Sequence, residues 1–226
     1  SEADPRPQIV GYADLQRLGW DLRRALTEML ALDQRTFDIE GTRHEGTVEG
    51  WLPVLDALPD SWRILVHGGA VIGSWHVVPL TPAAAGRMRS GQLYDCEITL
   101  AEVETLDLPG RCDLLICAFL LDPSSRTPEM FRLLFDSLVD AIGRFAAREV
   151  FFDRLLAATW TPASHLLCRR LGFAEVGALV EGDRRIPVVE ARTAELLKLS
   201  ETRRFKRVRE FYDAGRKAGP RLVAGR

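Results

Sequence analysis

Apolar residues recur at helical spacing from Tyr12 to Leu32, at Leu15, Leu18, Leu22, Leu26 and Leu30, which predicts one amphipathic helix or two abutting ones. A polar stretch from Asp38 to Gly46 separates this from a second short helix marked by Val48, Leu52, Leu55 and Leu58, which Pro59-Asp60 ends. The period then changes. Trp62 to Val66 reads as a strand, His67-Gly68-Gly69 as a turn, and Ala70 to Val78 as the returning strand, with Gly73 marking a bulge or a close backbone approach. Residues 81 to 93 read as a helical excursion, and Cys96 to Leu100 as a short strand with Glu97 at its start.

The second half is more regular. A buried strand over 113–121 leads through a turn at Pro123 into a long helix over 128–147, carried by Met130, Leu133, Leu134, Leu138, Val139, Ile142 and Phe145. A strand over 150–157, a helix over 162–171, and strands over 173–180 and 185–191 joined at Gly182-Asp183 follow. The strand-helix-strand passage at the centre requires a crossover, so strands 113–121 and 150–157 should lie parallel in one sheet. Residues 194–217 read as one further helix with a stripe of Leu196, Leu197, Leu199, Phe205, Val208, Phe211 and Tyr212. The expected organisation is a disordered start over 1–9, a folded domain over 10–192, and a basic C-terminal helix and tail over 193–226.

Composition adds limits. The 226 residues are 46% hydrophobic and 27% charged, ordinary for a globular protein that can bury a sizeable core as one domain. Charges interrupt every candidate membrane span, and the polar start carries no signal-peptide pattern, so a cytoplasmic location is expected. Cys96, Cys112, Cys117 and Cys168 form no C-x-x-C pair and share no ligand spacing with the histidines, so no metal is expected and reduced thiols are. The net charge of −2 hides an asymmetry: residues 203 to 226 hold nine Lys or Arg against Glu210 and Asp213, placing this tail at +7 and the rest of the chain at −9. A basic tail on an acidic body points to an acidic carrier protein or to self-association through the C-terminal helix. Nucleic acid is disfavoured, because only Phe205 interleaves with the basic residues.

Two segments carry a resemblance. Leu121-Asp122-Pro123-Ser124-Ser125-Arg126-Thr127-Pro128-Glu129-Met130-Phe131 follows the buried strand, and Ala163-Ser164-His165-Leu166-Leu167-Cys168-Arg169-Arg170-Leu171-Gly172-Phe173 comes about thirty residues later. Together they resemble the signature segments of the GNAT superfamily of N-acetyltransferases. The resemblance covers roughly residues 10 to 192. It implies an α/β (α+β) fold with a mixed, mostly antiparallel sheet, a central parallel strand pair, flanking helices, and here an extra C-terminal helix. It implies an N-acyltransferase-like protein that moves an acyl group from acetyl-coenzyme A, another acyl-coenzyme A or another thioester donor to an amine.

In the family the turn reads Pro-x-x-Arg-Gly-x-Gly-x-Gly, and its amides hold the coenzyme's pyrophosphate at a helix N-terminus. Pro123 and Arg126 stand in register, but Thr127, Glu129 and Phe131 replace the glycines, and Glu129 sets a negative charge near the phosphates. The resemblance therefore assigns cofactor contacts to Arg126, Thr127, Glu129, Met130, Phe131 and Ser164, with a damaged loop. It assigns the polarisation of the thioester carbonyl to the backbone amides of Phe119 and Leu121. Counting back from Gly172-Phe173 places Cys168 where the family keeps the Tyr that protonates the leaving thiolate. Glu97 ranks first as general base, ahead of Asp153 and His76. The damaged loop keeps two alternatives open: a catalytically inactive GNAT-fold module for ligand sensing or assembly, and an acyltransferase served by an acyl carrier protein.

Overall fold

The computed structural model describes residues 6–37 and 45–217. Its helices are α1 (Leu22–Thr36), α2 (Val48–Ala57), α3 (Pro82–Arg89), α4 (Pro128–Ala147), α5 (Pro162–Arg170), α6 (Thr193–Leu196) and α7 (Lys206–Lys217). Its strands are β1 (Gln8–Val10), β2 (Trp62–His67), β3 (Ala70–Leu80), β4 (Gly110–Leu121), β5 (Val150–Ala158), β6 (Ala174–Glu181) and β7 (Arg184–Arg192). All seven strands join one sheet in the order β1-β2-β3-β4-β5-β7-β6. The sheet is mostly antiparallel, and β4 and β5 form its parallel pair, as the crossover through α4 requires. Among the described residues no helix is long and apolar enough to cross a membrane.

The chain divides into two compact units. The first holds the described residues through Val77, together with Tyr94–Ala101 and Ile116–Leu138. Here α1 starts at Asp21, whose carboxylate accepts from the Arg24 amide at 2.7 Å. Thr47 caps α2 in the same way, accepting from Gly50 N at 3.1 Å, and α2 packs on α1. The β2–β3 hairpin closes through Gly68 and Gly69, both at positive φ, which side chains rarely tolerate. Cross-strand register puts Trp62 opposite His76 and Ile64 opposite Ser74 on one face of the hairpin, and Arg63 opposite Trp75 on the other. The Trp75 indole donates to Ser137 Oγ of α4 at 2.7 Å, so that face meets α4. Gly73 is a close approach: a Cβ there would stand 2.9 Å from Leu121 Cδ2 and 3.1 Å from Leu120 O.

The second unit holds Val78–Leu93, Glu102–Leu115 and the described residues from Val139 onward. β5 pairs with β7 from Arg154 to Ala158, and β7 pairs with β6 along its length. Before Arg154 the Phe152 amide turns elsewhere, donating to the Tyr212 hydroxyl of α7 at 3.0 Å. α7 lies close on this unit, because Cβ atoms at Gly143 and Gly215 would meet Val208 and the Phe151 ring at 2.7 and 2.5 Å.

Three expectations are corrected. Residues 8 and 9 are not part of a disordered start: Gln8–Val10 is an edge strand on β2, too short to show a period of its own. Residues 1–5, the loop from 38 to 44 and the tail from 218 lie outside the described residues. Cys96 to Leu100 is not a strand, because Asp95–Glu97 forms a 3-10 turn in which Asp95 Oδ1 accepts from Cys96 N at 2.8 Å. The helix expected over 194–217 is broken into α6, a 3-10 turn at Ser200–Thr202 and α7. The break is made by Thr202, whose hydroxyl donates to Leu196 O at 2.7 Å and approaches Leu199 O at 3.0 Å, drawing backbone carbonyls away from a continuing helix.

Candidate functional site

A strand in the middle of a sheet covered on both faces buries every side chain. β4 departs from that rule. Although β3 and β5 flank it, four consecutive residues, Ile116, Cys117, Ala118 and Phe119, are only half-buried, so its centre is open on both faces. All four belong to the first unit.

Two carboxylates act on this strand centre. Asp33 sits near the end of α1, four residues after Met29 and seven after Leu26, on the stripe that those buried side chains define. Burial, and then the charge of Asp95, push its carboxyl up to about 7. Among the described residues no cation or hydrogen-bond donor meets the Asp33 carboxyl. Asp95 comes from the 3-10 turn, which packs near α2. The Cys117 sulfur feels both: burial first, then Asp95 and Asp33, push its thiol well above the usual thiol range. Asp33, Asp95 and Cys117 therefore form one electrostatically coupled group drawn from a helix, a turn and the open strand.

The loop after β4 bonds mainly to itself. Asp122 N donates to Ile72 O at 2.8 Å, and the Asp122 carboxylate accepts from Ser124 N and Oγ at 3.0 and 2.6 Å. That hydroxyl, together with the Ser124 amide and Arg35 at 3.4 Å, holds the Asp122 carboxyl below its usual value. Ser125 N donates to Asp122 O, Thr127 N to Ser125 O, and Phe131 N to Thr127 O. Thr127 caps α4 by accepting from Met130 N at 3.2 Å, while Pro128 has no amide hydrogen. Arg126 folds back, its Nε 3.3 Å from Leu121 O. Phe131 lies edge-on to Phe119, with ring centroids 5.5 Å apart, and stacks on Phe135 at 5.8 Å. Glu129 is exposed in the first turn of α4.

Glu97, expected as the general base, is exposed, and its carboxylate lies 3.5 Å from Tyr94 N as part of a cap on the 3-10 turn. His76 is buried in the first unit, and burial pushes its ring down to about 3, so it is neutral. The other expected residues belong to the second unit. Cys168 is half-buried on α5, and burial pushes its thiol up to about 11. Ser164 closes the capping box of α5, donating its amide to Thr161 Oγ1 at 3.1 Å and accepting from Thr161 N at 3.2 Å. Asp153 is paired with Arg111 at 2.6 Å. The first unit thus gathers Phe119, Leu121, Arg126, Thr127, Glu129, Met130, Phe131 and Glu97, and adds Asp33, which sequence reasoning missed. The signal for Asp33 was present: an acid at a position of the helical stripe reserved for apolar side chains.

No family model matches the chain, and no curated protein matches it. Solved structures do match. The loading GNATL domain of CurA from Lyngbya majuscula is 10% identical, covering 83% of this chain and 98% of that one, with a TM-score of 0.54. The GphF GNAT-like decarboxylase in complex with isobutyryl-CoA is 14% identical, covering 83% and 98%, with a TM-score of 0.52. Ard1 from Thermoplasma volcanium is 11% identical, covering 82% and 97%, with a TM-score of 0.50. The chain has the GNAT fold. At these identities likeness establishes the fold, and activity has to be argued from the site.

Proposed function

We propose that this GNAT-fold protein is an acyltransferase that moves an acyl group from a thioester donor, an acyl-coenzyme A, to an amine, with Asp33 as the base. The observation that carries this reading is the Asp33 carboxyl, unpartnered among the described residues and coupled to the open centre of β4. A base that titrates near 7 matches neutral solution, where it is partly ionised and still able to hold a proton.

In this reading the amine nitrogen bonds to the thioester carbonyl carbon as its proton passes to Asp33. The carbon–sulfur bond then breaks and the electron pair leaves on the thiolate. The backbone amides of Phe119 and Leu121, on β4, are the donors for the developing oxyanion. The family resemblance assigns Cys168, on the second unit, the part of donor to the departing thiolate. Full proton transfer from it is uphill, because a thiol near 11 is a weaker acid than a free thiol at ~8.5. Cys168→Ala should accordingly lower turnover by less than about tenfold, with no acyl adduct on the native Cys168 in mass spectrometry.

The experiment is turnover of acetyl-coenzyme A with a panel of amines, wild type against Asp33→Asn. The expected loss is roughly 100-fold, with a wild-type rate that rises through pH ~7. Undiminished turnover in Asp33→Asn removes Asp33 from the mechanism.

A second reading, a GNAT-fold sensing or assembly module without catalysis, is favoured by one observation: the amides of Ser125, Thr127, Met130 and Phe131 are all engaged within the loop and helix start. The same loop suits a donor carried on an acidic carrier protein, for which the exposed Arg203, Arg204, Lys206 and Arg207 offer a basic contact. Calorimetry with coenzyme A, acetyl-coenzyme A and an acyl carrier protein separates the three.

A further inference from the structure

Three buried polar atoms lie on one face of the β2–β3 hairpin, and none has a hydrogen-bond partner among the described residues: Trp62 Nε1, Ser74 Oγ and His76 Nε2. Their residues are 0%, 1% and 5% exposed. Register explains the grouping. Trp62 and His76 are direct cross-strand partners, and Ser74 lies two residues before His76, opposite Ile64 on the same face. Directly opposed side chains start about 5 Å apart, and the diagonal to Ser74 is within reach of an indole. Trp51 of α2 covers this face, its ring meeting His76 edge-on with centroids 4.8 Å apart. Three polar groups so enclosed are rarely left without partners in a folded protein, and an ordered water is the usual satisfier.

We propose that Trp62, Ser74 and His76 form a buried hydration site that holds an ordered water between the β2–β3 hairpin and α2. The donor and acceptor inventory fits this ligand. The indole can only donate, the neutral imidazole can accept at Nε2, and the hydroxyl can do either. One water accepts from the Trp62 indole and the Ser74 hydroxyl while donating to His76 Nε2. A purely apolar occupant satisfies none of the three, and an ion has no charged side chain among them to balance it. The proposal does not rest on the acyl-transfer reading.

Ser74→Ala removes the hydroxyl with little change of shape, so the direction of its effect reports on hydration. In a hydrated site the variant loses a bond to the water, and Tm falls by about 2–4 °C. In a dry site it removes an orphaned hydroxyl, and Tm rises. The intact protein provides the direct readout: the Trp62 indole N–H should show a cross-relaxation peak to a long-lived water by NMR. A rise in Tm for Ser74→Ala, or a Trp62 indole with no water cross-peak, overturns the proposal.

Discussion

The two units treat buried charge in opposite ways. In the second, Arg89 holds Asp113 and Glu190 at 2.5 Å each, and Arg154 holds the other Glu190 oxygen at 2.6 Å. These side chains come from α3, β4, β5 and β7, so one guanidinium joins three elements. In the first unit the half-buried Asp33 carboxyl has no partner of opposite charge among the described residues, and His76 is buried neutral. Removing charge from water is costly, and pairing offsets that cost. Pairing makes the second unit a scaffold. In the proposed reading, the unpaired Asp33 carboxyl is tolerated because its reactivity is used.

The sharpest way to break this contrast is Asp33→Asn. The unfolded chain ionises Asp33 near 3.8, while the folded chain does so only near 7. Folding therefore carries no penalty from this group below 3.8 and an increasing one as pH rises through 7. The ceiling is about 4 kcal/mol, from about three pKa units at 1.36 kcal/mol each. Asp33→Asn should be more stable than wild type in urea at pH 8, no different well below pH 3.8, and poorer in turnover. Equal stability at pH 8 would mean that Asp33 has a partner after all.

Arg89→Ala tests the paired side. It leaves Asp113 and Glu190 half-buried, with Arg154 still on Glu190. A fully buried broken pair costs 3–5 kcal/mol, and the residual exposure of these side chains lowers the expectation to about 2–3 kcal/mol. Arg89→Lys should recover only part, since an ammonium lacks the fork that reaches two carboxylates. Urea midpoints at pH 7 measure both.

His76 gives a pH signature of the first unit. Its unfolded value is 6.5 and its folded value about 3, so the unfolded chain takes up the proton first. The stability contributed by neutral His76 is complete above 6.5 and is lost as pH falls toward 3. At pH 5 the loss amounts to about 2 kcal/mol. His76→Leu should flatten the wild-type decline between pH 6.5 and 5. An unchanged slope would assign that decline to other groups.

How much of this was legible depended on whether the signal was local. The bounds of α4, Pro128–Ala147, followed from a proline start and an unbroken stripe, and Gly68-Gly69 and Gly182 marked their turns. The parallel pair followed from one crossover. β1 was missed because three residues carry no period, and α7 was merged with α6 because the interrupting Thr202 acts through its hydroxyl. The site was harder to read. Glu97 was favoured for its expected strand, yet it caps a turn, while the cost of enclosing Asp33 depends on Asp95, more than sixty residues away. Such coupling is a property of the folded arrangement and has no local sequence pattern.

The loop after β4 is the place in the first unit where polar groups are consumed as fully as in the second, and it gives the smallest test. Glu129→Gly with Phe131→Gly removes a charge, frees the space that Phe131 fills beside Phe119 and Phe135, and restores two of the three glycines of the resemblance. Thr127 still caps Met130, so the gain in affinity for coenzyme A should be modest, roughly tenfold or about 1.4 kcal/mol by calorimetry. The two glycines should lower stability by about 1 kcal/mol each, because they sit in the first turn of α4. Adding Thr127→Gly should raise affinity again by freeing the Met130 amide, at the further cost of the cap. Micromolar binding by the unaltered protein, unchanged in the triple variant, would show that the donor never uses these amides. The loop would then be a structural helix start, consistent with a carrier-borne thioester or with no donor.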